Sequence, residues 1–181
     1  MGKPKQLLQY HGQSLLKHAV QEAINANEGT VIVVLGANAE VLETEVNNKK
    51  VTVVENKEWQ EGMASSVRAG LTALQKIIPL VDGAIIMVCD QPYLSASLLN
   101  ELVNKQRETG KPIVTCYYGE AIGPPALFHK SFFPELIKLA GDAGARKIIQ
   151  QHSDEVATVL FPKGDIDIDT RNDYEELIQK K

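Results

Sequence analysis

Ala84-Ile85-Ile86-Met87-Val88-Cys89-Asp90-Gln91-Pro92-Tyr93-Leu94 decides how the rest of this 181-residue chain is read. Five apolar residues run without alternation, the pattern of a strand buried on both faces of a mostly parallel sheet. The run stops at Asp90, and Pro92, with no N–H to donate, ends further pairing. Ser95 is placed to cap a following helix. Asp90 then stands at the carboxyl end of a central strand, where open α/β sheets bind their ligands. A carboxylate there needs a partner, and a divalent cation holding phosphate oxygens is a natural one. The bland alternative is a loop aspartate that helps to cap the next helix.

Around this stretch, strand and helix signals alternate. Apolar spacing predicts a helix from Ser14 to about Asn27, ended by Gly29, and Thr30–Leu35 is a second two-sided buried strand. A helix near 39–47, a strand at 51–54 and a helix at 64–77 lead to the central strand at 84–89. Helix 95–109, strand 113–118, a glycine- and proline-rich loop at 119–125 and Ala126-Leu127-Phe128 come next. Helices near 132–140 and 143–151, a strand over 155–161 and a helix at 171–180 finish the chain. Such alternation implies a layered α/β sheet in a single domain.

Composition excludes several function classes. Net charge is −4, so there is no basic footprint for nucleic acid. No apolar run approaches the roughly 20 residues of a membrane helix, and the start lacks a signal-peptide core. Cys89 and Cys116, in expected buried strands and outside any CxxC, fit small core residues in a reducing compartment, hence the cytoplasm. The four histidines lack ligand spacing, and no Ser–His–Asp or Cys–His pattern marks a covalent nucleophile.

Four other stretches offer chemistry. In Asn56-Lys57-Glu58-Trp59-Gln60-Glu61-Gly62-Met63-Ala64-Ser65-Ser66, Gly62 lets backbone approach a ligand and the helix start supplies free N–H groups. The alternative is a capped helix preceded by an aromatic plug, Trp59. The loop from Gly119 to Pro125 follows a strand and so belongs on the ligand-binding edge, unless it is an ordinary turn. Gly141-Asp142-Ala143-Gly144-Ala145-Arg146 opens a helix with an aspartate cap; Arg146 is either a phosphate or carboxylate fork or a solvated surface residue. Asp165, Asp167 and Asp169 alternate and project from one face of an extended segment, solvated or around a cation. Lys3 and Lys5 stand ready to neutralise phosphates.

In order, Met1-Gly2-Lys3-Pro4-Lys5, Asn56-x-x-Trp59-x-x-Gly62-Met63-x-x-Ser66-x-x-x-Gly70, Asp90-Gln91-Pro92, Gly123-Pro124-Pro125-x-x-Phe128, Gly141-Asp142-x-Gly144-Ala145-Arg146 and Asp167-Ile168-Asp169-Thr170-x-x-Asp173 span nearly the whole chain. The ordered set resembles the MobA-like nucleotidyltransferases, particularly the molybdenum cofactor cytidylyltransferase branch. The resemblance implies a three-layer, Rossmann-like (GT-A-like) fold with a mostly parallel sheet. It also implies Mg2+-dependent transfer of a nucleotidyl group from CTP, or another NTP, to a phosphorylated acceptor such as molybdopterin, releasing pyrophosphate. In it Lys5 contacts the triphosphate, Gly2, Gly62, Ser66 and Gly70 border the nucleotide, and Asp90 and Asp169 hold the metal, with Asp167 the lesser candidate. Gln91, Gly123, Pro124 and Arg146 fall on the acceptor side.

Family members open with a strand and a glycine-rich loop immediately before the equivalent of Met1-Gly2, and this sequence carries neither. The expectation is that the functional polypeptide starts upstream and that Met1 is internal. Two other enzymes compete: the methylerythritol phosphate cytidylyltransferases share Ser66-Val67-x-x-Gly70-Leu71 but carry arginine where this chain has Met63, and a sugar-nucleotide-forming enzyme would differ around 119–128. From another class comes a non-catalytic nucleotide- or pterin-cofactor-binding module.

Overall fold

A computed structural model describes residues 4–46, 48–119, 121–168 and 170–179. After a 3-10 turn at Lys5–Leu7, β1 (Gln9–Tyr10) and β2 (Gln13–Ser14) form a small hairpin that delivers the chain to α1 (Leu15–Ala26). Ser14 caps α1, its Oγ accepting from the Lys17 N–H at 3.1 Å. β3 (Val31–Leu35), α2 (Ala39–Glu43), β4 (Val51–Glu55) and α3 (Met63–Ile77) follow. Next come β5 (Gly83–Ile86), α4 (Ala96–Thr109), β6 (Ile113–Tyr118) and β7 (Ala121–His129). The chain ends in α5 (Phe133–Ile137), α6 (Arg146–Gln151), β8 (Val156–Leu160) and α7 (Arg171–Gln179). Ser95 caps α4 as its position predicts, Oγ accepting from the Leu98 N–H, and Thr170 exchanges two hydrogen bonds with Asp173 at the start of α7. Among the described residues no helix is long and apolar enough to cross a membrane.

The layered α/β architecture is the one the sequence implies. Alternate residues of the central strands serve opposite faces: Ile113, Ala126 and Phe128 join a cluster with Leu71, Phe133 and Ile148, on the α3, α5 and α6 side. Val114, Cys116 and Leu127 join Ala19, Leu98 and Leu102, on the α1 and α4 side. Strand direction departs from expectation. The sheet is mixed rather than mostly parallel: β3–β4 and β6–β8 are parallel, whereas β7 runs antiparallel to both β5 and β6.

β7 also contains the Gly123-Pro124-Pro125 run that reads as a loop in the sequence. The ladder with β6 jumps from Thr115↔Ala126 to Cys116↔Gly123, so both prolines sit in a bulge where no N–H is required. The same prolines shorten β5. Its last pair is Ile86↔Ala126, and beyond it the partner strand offers proline instead of a donor, so pairing stops at Ile86 rather than at 89.

Two sheets result, β3–β4 and β5–β7–β6–β8. Val33 and Leu35 of β3 share one apolar cluster with Cys89, and Ile32 shares another with Ala84 and Ile86. Yet no ladder joins β3 to β5 among the described residues.

Candidate active site

The charged centre lies where β5 runs out. Lys5, at the start of the first 3-10 turn, places Nζ 2.6 Å from Asp90 Oδ2. The Asp90 carbonyl accepts a 3.1 Å hydrogen bond from the Ile168 N–H, so segments nearly eighty residues apart meet here. Asp90 Oδ1 is buried and has no hydrogen-bond partner among the described residues. A carboxylate oxygen taken from water without a donor is costly, and a cation is the complement that offsets the cost.

Of the other acidic candidates, Asp167 is exposed and Asp165 lies in a turn over 162–165. Asp165 and Asp167 therefore do not share one extended face. The chain bends where Gly164 N–H donates to the Phe161 carbonyl, which breaks the alternation. Asp169 and Gly2 lie outside the described residues. Among the described residues no three His, Cys, Asp or Glu side chains gather as in a self-contained metal site. Asp90 Oδ1 offers one carboxylate oxygen, and a divalent cation held this way takes its remaining donors from waters and substrate phosphates.

The second part of the site is the β4–α3 junction. Asn56, buried just past β4, donates from Nδ2 to Ser65 Oγ at 2.8 Å and Ser66 Oγ at 3.0 Å. Its Oδ1 accepts from the Glu58 N–H, and its own N–H bonds to the Leu35 carbonyl at the end of β3. Nothing but its place in a motif marked Asn56 in the sequence; a buried polar residue straight after an apolar strand was the available signal. Ser66 borders a cleft of roughly 440 Å³ whose walls include Pro4, Gly36, Trp59, Gly62, Met63 and Cys89.

Two glycines of this region are held by packing within the chain. The close approach that Gly62 permits (φ 110°) is to the chain's own Gly141–Asp142: a Cβ at 62 would lie 2.5 Å from Asp142 Oδ1 and 2.6 Å from the Gly141 carbonyl. Gly70 is a packing position, a Cβ there meeting Val34 Cγ2 at 3.1 Å. Asp142 is accordingly no helix cap. Residues 141–142 form a turn, and α6 begins only at Arg146, with no side-chain cap.

The third part is the edge formed by β7 and the start of the acidic tail. Gln91 is 1% exposed, and its Nε2 donates to the carbonyls of Pro124 (3.2 Å) and Gly164 (2.9 Å). It works as a tie between two loops. Gly123 is covered by Tyr118, whose hydroxyl would sit 2.1 Å from any Cβ at that position. Burial raises the Tyr118 hydroxyl pKa, the negative charge of Asp167 raises it further, and the exposed Arg146 opposes both. Tyr118 thus marks where Arg146 and Asp167 come near the same surface; its sequence context, one tyrosine of a pair in a strand, gave no hint.

The Cys89 thiol, pushed up to about 11 by burial and by the neighbouring Asp90, stays protonated at neutral pH. It is no ready nucleophile. The arrangement can bind phosphates and a cation without offering covalent catalysis.

A family model described as the MobA-like NTP transferase domain matches residues 1–156. A protein named nicotine blue oxidoreductase from Paenarthrobacter nicotinovorans is 30% identical over 156 residues, covering 82% of this chain and 74% of its own length. The solved structure of Rv0371c from Mycobacterium tuberculosis H37Rv superposes with a TM-score of 0.82 at 28% identity, covering 99% of this chain and 91% of the other. A second structure of that mycobacterial protein, in complex with manganese, gives a TM-score of 0.78 at the same identity, covering 98% and 93%.

Proposed function

The chain belongs to the MobA-like NTP transferase family and is a nucleotidyltransferase, and on that premise we propose that it is a magnesium-dependent cytidylyltransferase acting on a molybdopterin-type acceptor. The observation that carries the reading is the meeting of Lys5, Asp90 and the Ile168 N–H beside a buried carboxylate oxygen that has no donor among the described residues. The manganese bound by the mycobacterial relative supports a divalent ion in this family.

Asp90 and Asp169 would hold the magnesium, which supplies the positive charge that a departing pyrophosphate needs. Everything else falls to the chain's own groups. The Lys5 ammonium neutralises a phosphate oxygen once the triphosphate competes with Asp90 for it. The α3 start, with Ser66 and the Asn56 amide behind it, borders the nucleoside. Arg146 draws the acceptor phosphate towards the β7 edge. That phosphate attacks the α-phosphorus in line; the new P–O bond forms as the bond to the bridging oxygen breaks, and pyrophosphate leaves with the electron pair. The two free cysteines favour a reducing compartment, the cytoplasm.

The test is a titration with CTP and GTP, each with magnesium, followed by thermal shift and then by pyrophosphate release with molybdopterin. Stabilisation by CTP over GTP with release of pyrophosphate is expected. GTP preference would correct the base. Binding without release would make the protein a nucleotide-binding module.

A further inference from the structure

Trp59 is the chain's sole tryptophan and lies in the cleft wall, yet it is 43% exposed. Its root is held firmly. A Cβ on Gly36 would lie 2.7 Å from Trp59 Cβ, so the side chain emerges directly over the backbone that follows β3. The 3-10 turn carrying it, Trp59–Glu61, is closed by Gly62 N–H to the Trp59 carbonyl at 3.2 Å and by Glu61 N–H to the Glu58 carbonyl at 2.8 Å. Arg68 of α3 pins the same turn through ion pairs with Glu58 and Glu61. A large ring on a fixed stem, half open towards a cleft, is a prepared surface rather than a core residue that failed to be covered.

From this geometry we infer that Trp59 is the platform on which the nucleobase stacks. The inference deepens the proposed nucleotide site and rests on it. Flat stacking recognises a base by its π-face at little entropic cost, because the indole has only two torsions to fix and its stem is already held. Met63, 53% exposed in the same cleft, lends a polarizable edge beside the ring. Ser66 in the cleft and the Lys5–Asp90 pair, adjacent in sequence to the wall residues Pro4 and Cys89, then deal with the rest of the nucleotide, so base and phosphates are read by separate parts of the site.

Titration of the full chain with magnesium CTP and with magnesium tripolyphosphate, following the emission of Trp59 and the heat of binding in parallel, tests this. CTP is expected to quench the emission and tripolyphosphate to leave it unchanged. By calorimetry, Trp59→Ala should weaken CTP roughly tenfold, the size of one base–aromatic stack, and leave tripolyphosphate within about twofold, while Trp59→Phe retains most of the CTP affinity. CTP heat without quenching, or equal losses for both ligands in Trp59→Ala, overturns the platform and leaves the nucleotide site standing. No heat from either ligand in the unmodified chain overturns both.

Discussion

β6 and β3 are near-identical in apolar character and differ sharply in burial. In β6, Ile113, Val114, Thr115 and Cys116 are all 0% exposed, whereas Val31–Val34 of β3 are only half-buried, as is every residue of β5. The difference follows pairing. Among the described residues β6 has a neighbour on each edge, β8 and β7, whereas β3 has only β4, and β5 only β7. An apolar run therefore measures how much a strand can bury, and the ladder on each side decides how much it does. The candidate site straddles this contrast. Asp90, Gln91 and Pro124 stand on the four-stranded side, and Gly36, Asn56 and Ser66 on the two-stranded side.

The largest effect should come from the fully covered sheet. Phe128→Ala removes a side chain with 0% exposure and should cost about 3–5 kcal/mol, whereas Val33→Ala in β3 should cost about 1 kcal/mol, half of what two buried methyls contribute. Urea midpoints at constant slope give both; equal costs would erase the contrast.

Next in size is a pair across the site. Asp90→Asn keeps the shape but loses the charge facing Lys5, and should lower pyrophosphate release on the order of 10²–10³-fold with the melting temperature nearly unchanged. Asn56→Ala should act mainly on stability, costing roughly 1–3 kcal/mol because the hydroxyls of Ser65 and Ser66 and the Glu58 N–H each lose a partner. If Asn56→Ala proves as stable as the unmodified chain, the amide is not what organises the two-stranded side.

The smallest and sharpest comparison uses the thiols. Burial pushes Cys116, inside β6, up to about 12 and Cys89, in the cleft, up to about 11. Each is raised above the ordinary thiol value, so both are protonated at pH 8 and react slowly, and alkylation accelerates as pH rises through 9 and beyond. Cys89 should label first and should slow when magnesium CTP occupies the cleft. Mass spectrometry after timed alkylation reads the order, and Cys116 labelling first would contradict the burial difference.

Local signals in the sequence placed most elements well. The spacing of Leu15, Leu16, Ala19 and Val20 marks α1 within a residue, and Ser95 marks the start of α4. What local signals misjudged were prolines and turns whose meaning is set elsewhere. Pro124 and Pro125 look like breakers because each lacks an N–H, but the bulge against β6 asks for none, so β7 runs through them. Asp165 reads as part of an alternating face because alternation assumes an extended chain, and the turn at 162–165 removes that assumption. In the site, Asp90 was legible as the end of an apolar run. Its partnership with Lys5, 85 residues away, was not, and only the ordered family motifs brought the two together.

Through Gln91, the bulge at Pro124 and the turn at Gly164 are lashed to the residue beside Asp90. In the proposed reading, an acceptor that pushed the bulge outward would also pull the strand end bearing the carboxylate, and the hold on the acceptor and the hold on the ion would rise and fall together.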